Sequence, residues 1–597
     1  MPRTSGWRVA GLAAALASSA CAKAPGHAPD APDAGADGAT DSGAGADAPS
    51  DRVVVDTGLG PWSVSVDAAA PVPLDDITVY AFSQTGDGQA DPQVAALAPD
   101  MTMRQWQRWD TYGRTAGDFD FGAVAAAHDA GVKLFIGGTT ATALFSDEFP
   151  NPQFPSLTVD DVDTRDATGA PVVHPKILPD FHRGSLANAD FRAYLIRLCQ
   201  VQIDGGVDGL YFDELNQGYQ GANFDGDEGF DAAHLTDFNA YLLSRFPGAD
   251  YQAMFGMTPD NLLKADVPAG DLAANFDYRR YLAAHGWAST PFAAANPLGK
   301  VWGQTEGGRP SPGMPDFVNT AEPYRYWGAL TRALRDYARQ QYGRSLIITT
   351  NGLYPLVDFQ GVGLYNFNHD DAGGAEAQYV PVTPGSTTAA AHLDGTRSLQ
   401  RPFLNLKARS DQLAPGVPVV LFIDWPTDFM SRYLHLPPSE QQDYWRIYAA
   451  EAYANGLFFA FFLQDTVGDA TATQLGLMPL YQRLAAYYRG HKDLYHGTSV
   501  APVQATTSLA SPAMVAVSDQ ASPRRRLVHL VNHDYAGALT EHDGFTITVP
   551  LPAAPSAATL ASPDLDADVT LAPAYANGAV TVVVPSLSAY DVIELAY

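Results

Sequence analysis

The stretch Gly206-Val207-Asp208-Gly209-Leu210-Tyr211-Phe212-Asp213-Glu214 decides how the chain is read. Gly205-Gly206 is a helix stop, because glycine adopts the left-handed conformation that ends a helix at little steric cost. Asp208-Gly209 turns the chain, and Leu210-Tyr211-Phe212 is a short apolar run of the kind that forms a strand. Two carboxylates, Asp213 and Glu214, close it. A helix, a turn and a wholly apolar strand ending in acids make one unit of a parallel α/β fold, in which strands are covered on both faces.

The same texture recurs on either side. Phe191, Tyr194, Leu195, Leu198 and Cys199 fall at i, i+3, i+4, i+7 and i+8, one helical stripe that packs on a sheet. On that stripe Cys199 is expected as a small buried hydrophobe rather than a reactive thiol. Further candidate strands are Ile77–Ser83, Val132–Gly138, Ser345–Asn351, Gly361–Phe367, Val417–Asp424 and Gly456–Leu463. A weaker one near Met101–Trp109 is interrupted by Arg104 and Gln107. Tyr324–Tyr342 and Gln441–Ala454 read as helices, with Gly343 and Gly456 as stops. Seven or eight such units over residues 76–498 predict an α/β fold, a (β/α)8 TIM barrel with enlarged loops. A doubly wound sheet is the alternative, but no G-x-G-x-x-G follows the first strand, so dinucleotide binding has no support. Over residues 499–597 short strands, Arg525–Asn532 among them, alternate with Pro, Gly, Asp and Asn and predict a C-terminal antiparallel β-sandwich. Its simplest role is to pack against the barrel.

The N-terminus reads as processing and tether. Arg3 and Arg8 precede the apolar run Val9–Leu16 and then Ala17-Ser18-Ser19-Ala20-Cys21, a signal peptide over residues 1–21. A cysteine directly after a small residue resembles a bacterial lipoprotein cleavage site, with Cys21 acylated, although Ser18 replaces the usual aliphatic residue. Ala22 after the junction implies outer-membrane or surface sorting; ordinary periplasmic export or secretion is the alternative. Residues 22–75 form an acidic Ala/Pro/Asp/Gly-rich linker that cannot bury enough surface to offset its ordering entropy.

Composition narrows the partners. Of 597 residues, 36 are Lys or Arg and 66 are Asp or Glu, a net charge of −30. That balance argues against nucleic acid and other polyanions, and favours a neutral substrate. Two cysteines exclude a disulfide scaffold and a cysteine zinc cluster. No H-E-x-x-H, G-x-S-x-G or P-loop occurs.

In a barrel the chemistry sits at the strand ends that lead into helices. Those positions hold Asp213 and Glu214, then Asn351, then Asn368, His369 and Asp370, then Asp424 and Trp425, and last Asp465. Acids handle protons and developing positive charge, amides bind hydroxyls, and flat rings stack on sugar faces. Asp213 is the expected nucleophile, or the base if the enzyme inverts. Glu214 points to the opposite side if the strand persists, so support and acid roles both stay open. Asp370 and Asp424 are the leading proton donors. Tyr211, Asn351, Tyr365, Asn368, His369, Trp425 and Asp465 are expected to bind substrate, with a core position the rival for Tyr211. Glu306 sits on a long loop able to fold over the site, but a solvated loop acid is the simpler reading. No cofactor is expected. Asp225, Asp227 and Asp231 form an acidic glycine loop that would suit calcium but lacks the twelve-residue pattern, so solvation is the simpler reading.

The D-G-x-x-x-D strand at Asp208–Asp213 resembles the fourth strand of retaining barrel glycoside hydrolases, where the last Asp is the nucleophile. Together with Thr350-Asn351-Gly352, Val362-Gly363-Leu364-Tyr365, Tyr487-Tyr488 and His529-Leu530-Val531-Asn532, it loosely resembles glycoside hydrolase family 66, the dextranases and cyclic-isomaltooligosaccharide-forming enzymes. An uncharacterised related barrel family fits the residues equally. The resemblance implies two-carboxylate cleavage of a glycosidic bond. It supplies no acid/base, because Phe367 stands where that family carries its catalytic Glu. The expected function is therefore a glycoside hydrolase acting on a neutral poly- or oligosaccharide. A non-catalytic glycan-binding lipoprotein on a degenerate barrel, or a transglycosylase, are the alternatives.

Overall fold

A computed structural model gives the fold; it describes residues 59–63, 70–83, 92–104, 121–173, 181–213, 215, 229–258, 276–303, 316–363, 399–422, 436–463, 471–511, 513–535 and 538–597. In chain order the first strands are β1 (Tyr80–Ser83), β2 (Met101–Arg104), β3 (Leu134–Thr140), a hairpin of β4 (Ala143–Phe145) and β5 (Phe181–Arg183), and β6 (Gly209–Asp213). They are followed by β7 (Ile347–Thr350), β8 (Gln360–Gly363), β9 (Val419–Phe422) and β10 (Phe458–Phe462). Eight of these form one parallel sheet in the order β7-β6-β3-β2-β1-β10-β9-β8. An isolated parallel bridge between Asn351 and Gly361 joins its two ends. The chain is thus a (β/α)8 barrel, and the weak run at Met101 is one of its strands.

Strand alternation sorts the side chains. Phe82, Met103, Ile136, Gly209 and Ile347 stand opposite one another across successive ladders, with Tyr80 and Met101 paired one layer down and Tyr211 and Thr349 paired one layer up. These fill the barrel interior. The ring of Phe82 stacks 4.8 Å from that of Phe422, and Tyr211 meets Phe422 edge-on at 5.6 Å. The residues between them face outward: Phe212 meets Trp327 of the Trp327–Tyr342 helix edge-on at 5.1 Å. Gly209 is the one residue type that fits its layer, since a Cβ there would lie 2.7 Å from Ile136, from the Ile347 side chain and from the Ile347 carbonyl.

Three aspartates clamp the lower rim. Asp100 accepts the backbone N–H groups of Thr78 and Val79 at 3.1 and 3.0 Å. Asp208 accepts that of Phe135 at 2.8 Å, and Asp358 that of Ile348 at 2.7 Å. Each precedes a strand and holds a neighbouring strand's start, which fixes register where the sheet has no other partner for those donors.

One expectation of strict strand–helix alternation is not met. Residues 351–359 join β7 to β8 without a helix. Parallel neighbours normally need a longer crossover, and side chains replace it. Thr349 Oγ1 donates to the Phe359 carbonyl at 2.8 Å, and Asp358 also takes Val72 N–H at 2.8 Å and Arg335 at 3.0 Å. Gly361 is required at the seam, because a Cβ would lie 2.8 Å from the Thr350 carbonyl.

The Arg524–Asn532 strand is buried from Arg525 onward because both its faces are covered. Val528 and Leu530 join Phe545, Ile547, Val580 and Val582 in a second core between a six-stranded and a four-stranded antiparallel sheet. Leu527 and Val531 instead join the barrel's own core. The Pro438–Ala454 helix supplies the contact: its fully buried Glu451 meets His533 at 2.5 Å, and Arg446 reaches Asp564 at 2.7 Å. Cys199 is buried, and burial pushes its thiol up, as a structural cysteine requires. Among the described residues no helix is long and apolar enough to cross a membrane.

Asp358→Asn is expected to destabilise the chain by about 3 kcal/mol, because a buried ion pair and two backbone donors lose their acceptor charge. Asp411→Asn, in an exposed helical pair with Lys407, should change it by under about 0.5 kcal/mol. Denaturant midpoints of the two variants check this.

Candidate functional site

Asp213 ends β6 two residues beyond Tyr211, so alternation turns its carboxylate into the barrel interior at the C-terminal rim. It is half-buried, whereas the four strand residues before it are buried. Its neighbours on the same side are Thr140 on β3 and Asn351 just past β7. The Asp213 carbonyl accepts from Ala141 N–H at 2.6 Å, which fixes the strand end. Asn351 Nδ2 donates to Asp213 Oδ1 at 2.9 Å, and Asn351 Oδ1 accepts from Gly363 N–H at 3.0 Å. A carboxylate and an amide thus meet at the mouth of the barrel, over a floor of Phe82, Tyr211 and Phe422. The two aspartates of the D-G-x-x-x-D run have divided roles: Asp208 clamps the lower rim, while Asp213 opens at the upper.

Tyr211 is only 2% exposed and packed among Phe82 and Phe422. Its ring is floor rather than a stacking platform, a correction that follows from its position one layer below Asp213. Asp231 is likewise diverted from the expected acidic loop. Its Oδ1 caps the Ala232–Arg245 helix by accepting from Ala233 and His234 N–H at 3.1 and 3.2 Å. Among the described residues no cluster of three His, Cys, Asp or Glu is placed to hold a metal. Glu214, Asp370, Asp424, Tyr365, Asn368, His369, Trp425, Asp465, Glu306, Asp225, Asp227 and Cys21 lie outside the described residues.

One buried cluster had no sequence signature. His234 Nδ1 lies 2.6 Å from Asp231 Oδ2, and its Nε2 lies 2.7 Å from Glu322 Oε1. Glu322 belongs to a π-helical segment, Ala321–Tyr326, whose Arg325 makes a paired bond to Asp237 at 2.6 and 2.8 Å. Such wide turns recur where a helix must aim a side chain it would otherwise miss. Thr164 Oγ1 donates to Asp231 at 3.3 Å and accepts from Gly229 N–H at 2.9 Å. The cluster therefore ties two excursions above the barrel: the one between β3 and β6, which carries Thr164, and the one between β6 and β7, whose Asp231, His234 and Glu322 it joins. Ser185 Oγ also lies 3.2 Å from His234 Nδ1. This is not a nucleophilic triad, because serine and aspartate share one ring nitrogen and the other is taken by Glu322.

Burial works against charge on His234, but Asp231 and Glu322 overcome it and lift its pKa to about 10. Burial raises Glu322 against the pull of His234. Burial also opposes the Asp231 anion, yet the His234 charge and hydrogen bonds hold it below its ordinary value.

No family model and no curated protein sequence matches the chain. Solved structures do. A cycloisomaltooligosaccharide glucanotransferase of Paenibacillus sp., complexed with cycloisomaltoheptaose, is 10% identical with a TM-score of 0.51, covering 88% of this chain and 85% of that one. An α-L-fucosidase isoenzyme 2 of Paenibacillus thiaminolyticus is 8% identical with a TM-score of 0.45, covering 87% and 99%. An α-amylase of H. orenii is 12% identical with a TM-score of 0.44, covering 87% and 98%. At 10% identity the first of these is a likeness of fold: a (β/α)8 barrel with a C-terminal β domain.

The linkage for His234 has a definite sign. A folded-state pKa raised from 6.5 to about 10 contributes stability that is fully present below the unfolded value and is lost as pH rises toward 10. The wild-type melting temperature should therefore fall between pH 7 and pH 10. His234→Gln should melt lower at pH 7 and show a flatter profile over that window, as thermal unfolding followed by circular dichroism will report.

Proposed function

We propose that the chain is a glycoside hydrolase acting on a neutral oligo- or polysaccharide, with Asp213 as the carboxylate that meets the anomeric carbon. The observation that carries this reading is the place of Asp213: half-buried, inward-facing and at the C-terminal rim of a parallel barrel, where the Asn351 amide donates to its carboxylate. The C-terminal rim is where barrel enzymes keep their chemistry. A carboxylate there over an aromatic floor suits an oxocarbenium-like transition state, which needs a nearby anion and little else of opposite charge. The similarly folded Paenibacillus glucanotransferase is named for a cyclic isomaltooligosaccharide and was solved with cycloisomaltoheptaose, which supports a carbohydrate as substrate.

The second carboxyl is proposed from Asp370 and Asp424. Asp424 follows two residues after Phe422, whose ring faces the barrel interior. In the retaining form, Asp213 displaces the leaving oxygen as the partner acid protonates it. The same partner then takes a proton from the water that releases the sugar. We further propose export through the residue 1–21 signal with acylation at Cys21, and division of the folded remainder at residue 498; the spacer expected over residues 22–75 is shorter than that, because Trp62, Val72 and Leu74 pack on the barrel. Membrane attachment is the corresponding proposed partner interaction.

Reducing-sugar release from a panel of neutral α- and β-glucans, by wild type and Asp213→Asn, tests the assignment. A loss of at least about a hundredfold is expected in the variant. Equal rates in the two proteins would reject Asp213 as catalytic. Oligosaccharide products longer than the substrate would instead identify transglycosylation. Glycan binding by both proteins without turnover would favour the non-catalytic alternative.

A further inference from the structure

We infer that Asn351 is a positioning residue that orients the Asp213 carboxylate, and that it does so by coupling that carboxylate to the closing seam of the barrel. The inference rests on the reading of Asp213 as the catalytic carboxylate and changes the role expected of Asn351, from contact with a sugar hydroxyl to control of the acid.

Four bonds carry the argument. Asn351 N–H donates to the Phe212 carbonyl at 3.0 Å, anchoring the residue to β6 one position before Asp213. Gly352 N–H donates to the Gly361 carbonyl at 2.8 Å, and this belongs to the bridge that joins the two ends of the sheet. The side-chain amide then spans the seam, with Oδ1 accepting from Gly363 N–H on β8 at 3.0 Å and Nδ2 donating to Asp213 Oδ1 at 2.9 Å. The backbone N–H of Gly363 can only donate, so the amide oxygen must face it, and the NH2 group is left toward the carboxylate. An ionised carboxylate only accepts, so the network has one consistent orientation. Asn351 is 6% exposed, which leaves its amide little freedom to turn toward solvent.

The chemical consequence is specific. A bond to Oδ1 fixes the plane of the carboxylate, so attack geometry depends on an amide whose other end is held by the opposite side of the seam. A charge-assisted bond of this kind also favours the anion that nucleophilic or base catalysis requires. Such an arrangement acts on the chemical step rather than on ground-state binding, because the sugar gains nothing from it until bond-making begins.

The experiment compares wild type, Asn351→Ala and Asp213→Asn on the best substrate of the glucan panel, with a crystal structure of Asn351→Ala. The expected result is a kcat lower by about tenfold or more, the loss of one hydrogen bond to a charged group, with KM within about twofold of wild type. The crystal structure should show the Asp213 carboxylate rotated about its last side-chain torsion while the Gly352–Gly361 bond persists. That second readout needs no substrate and separates orientation from unfolding. A raised KM with unchanged kcat would assign Asn351 to substrate binding and overturn the inference. So would an Asp213 that keeps its rotamer in Asn351→Ala. Full activity of Asp213→Asn would overturn the reading beneath it. An inactive Asp213→Asn beside an Asn351→Ala of wild-type kcat would overturn the positioning role alone.

Discussion

A parallel sheet can close into a barrel only if its first and last strands in spatial order meet, and here that seam lies between β7 and β8. No helix crosses from one to the other; the short link packs Leu353, Tyr354, Val357 and Phe359 into the core, and polar side chains add direction. Asp358 gathers two backbone donors and a guanidinium below the seam, and the Asn351 amide spans it above. Buried charge of this kind is costly unless every donor is met. Where it is met it is directional, which apolar packing is not. The place where the barrel closes is therefore also the place where the Asn351 amide meets the rim carboxylate Asp213.

The remainder of the barrel follows a division of labour between its two ends. Aspartates at the lower rim accept backbone N–H groups and hold strand register; the carboxylate at the upper rim of β6 is left half-exposed over a floor of aromatic rings. Both kinds occur within five residues of one another in the chain, at Asp208 and Asp213. Residue type alone does not distinguish them. Direction along the strand does, because parallel strands present all their C-terminal ends on one side.

Above the rim, the excursions are held by ions rather than by apolar contact alone. His234 between Asp231 and Glu322 is a charged bridge in a buried setting, and the π-helical segment that carries Glu322 also carries Arg325, paired with Asp237. At the opposite end of the chain, the antiparallel sheets complete the barrel's own core through Leu527, Val531 and Tyr590. Glu451 and His533 make the polar part of that contact. The terminal β region is thus built into the barrel's packing, whatever else its outer sheet does.

Much of this was legible in sequence, for reasons that can be named. Apolar runs of four to seven residues separated by helical stripes determined a parallel barrel, because burial on both faces leaves a pattern independent of which strands pair. The same residues determined that Asp213 ends a strand. The limits are equally physical. Tyr211 was open between sugar platform and core and is floor, since whether an aromatic residue lies at the rim or one layer below depends on the strands opposite. Asp231 read as part of a solvated acidic loop and is a buried helix cap paired with His234. His234 and Glu322 stand 88 positions apart, and no local pattern links them. The sequence by itself determined the periodicity, the strand ends and the acids found there, because these follow from neighbours in the chain. Only the tertiary structure decided that Asp213 and Asn351 meet at the rim, because that contact forms when the sheet closes on itself and brings distant residues within a hydrogen bond.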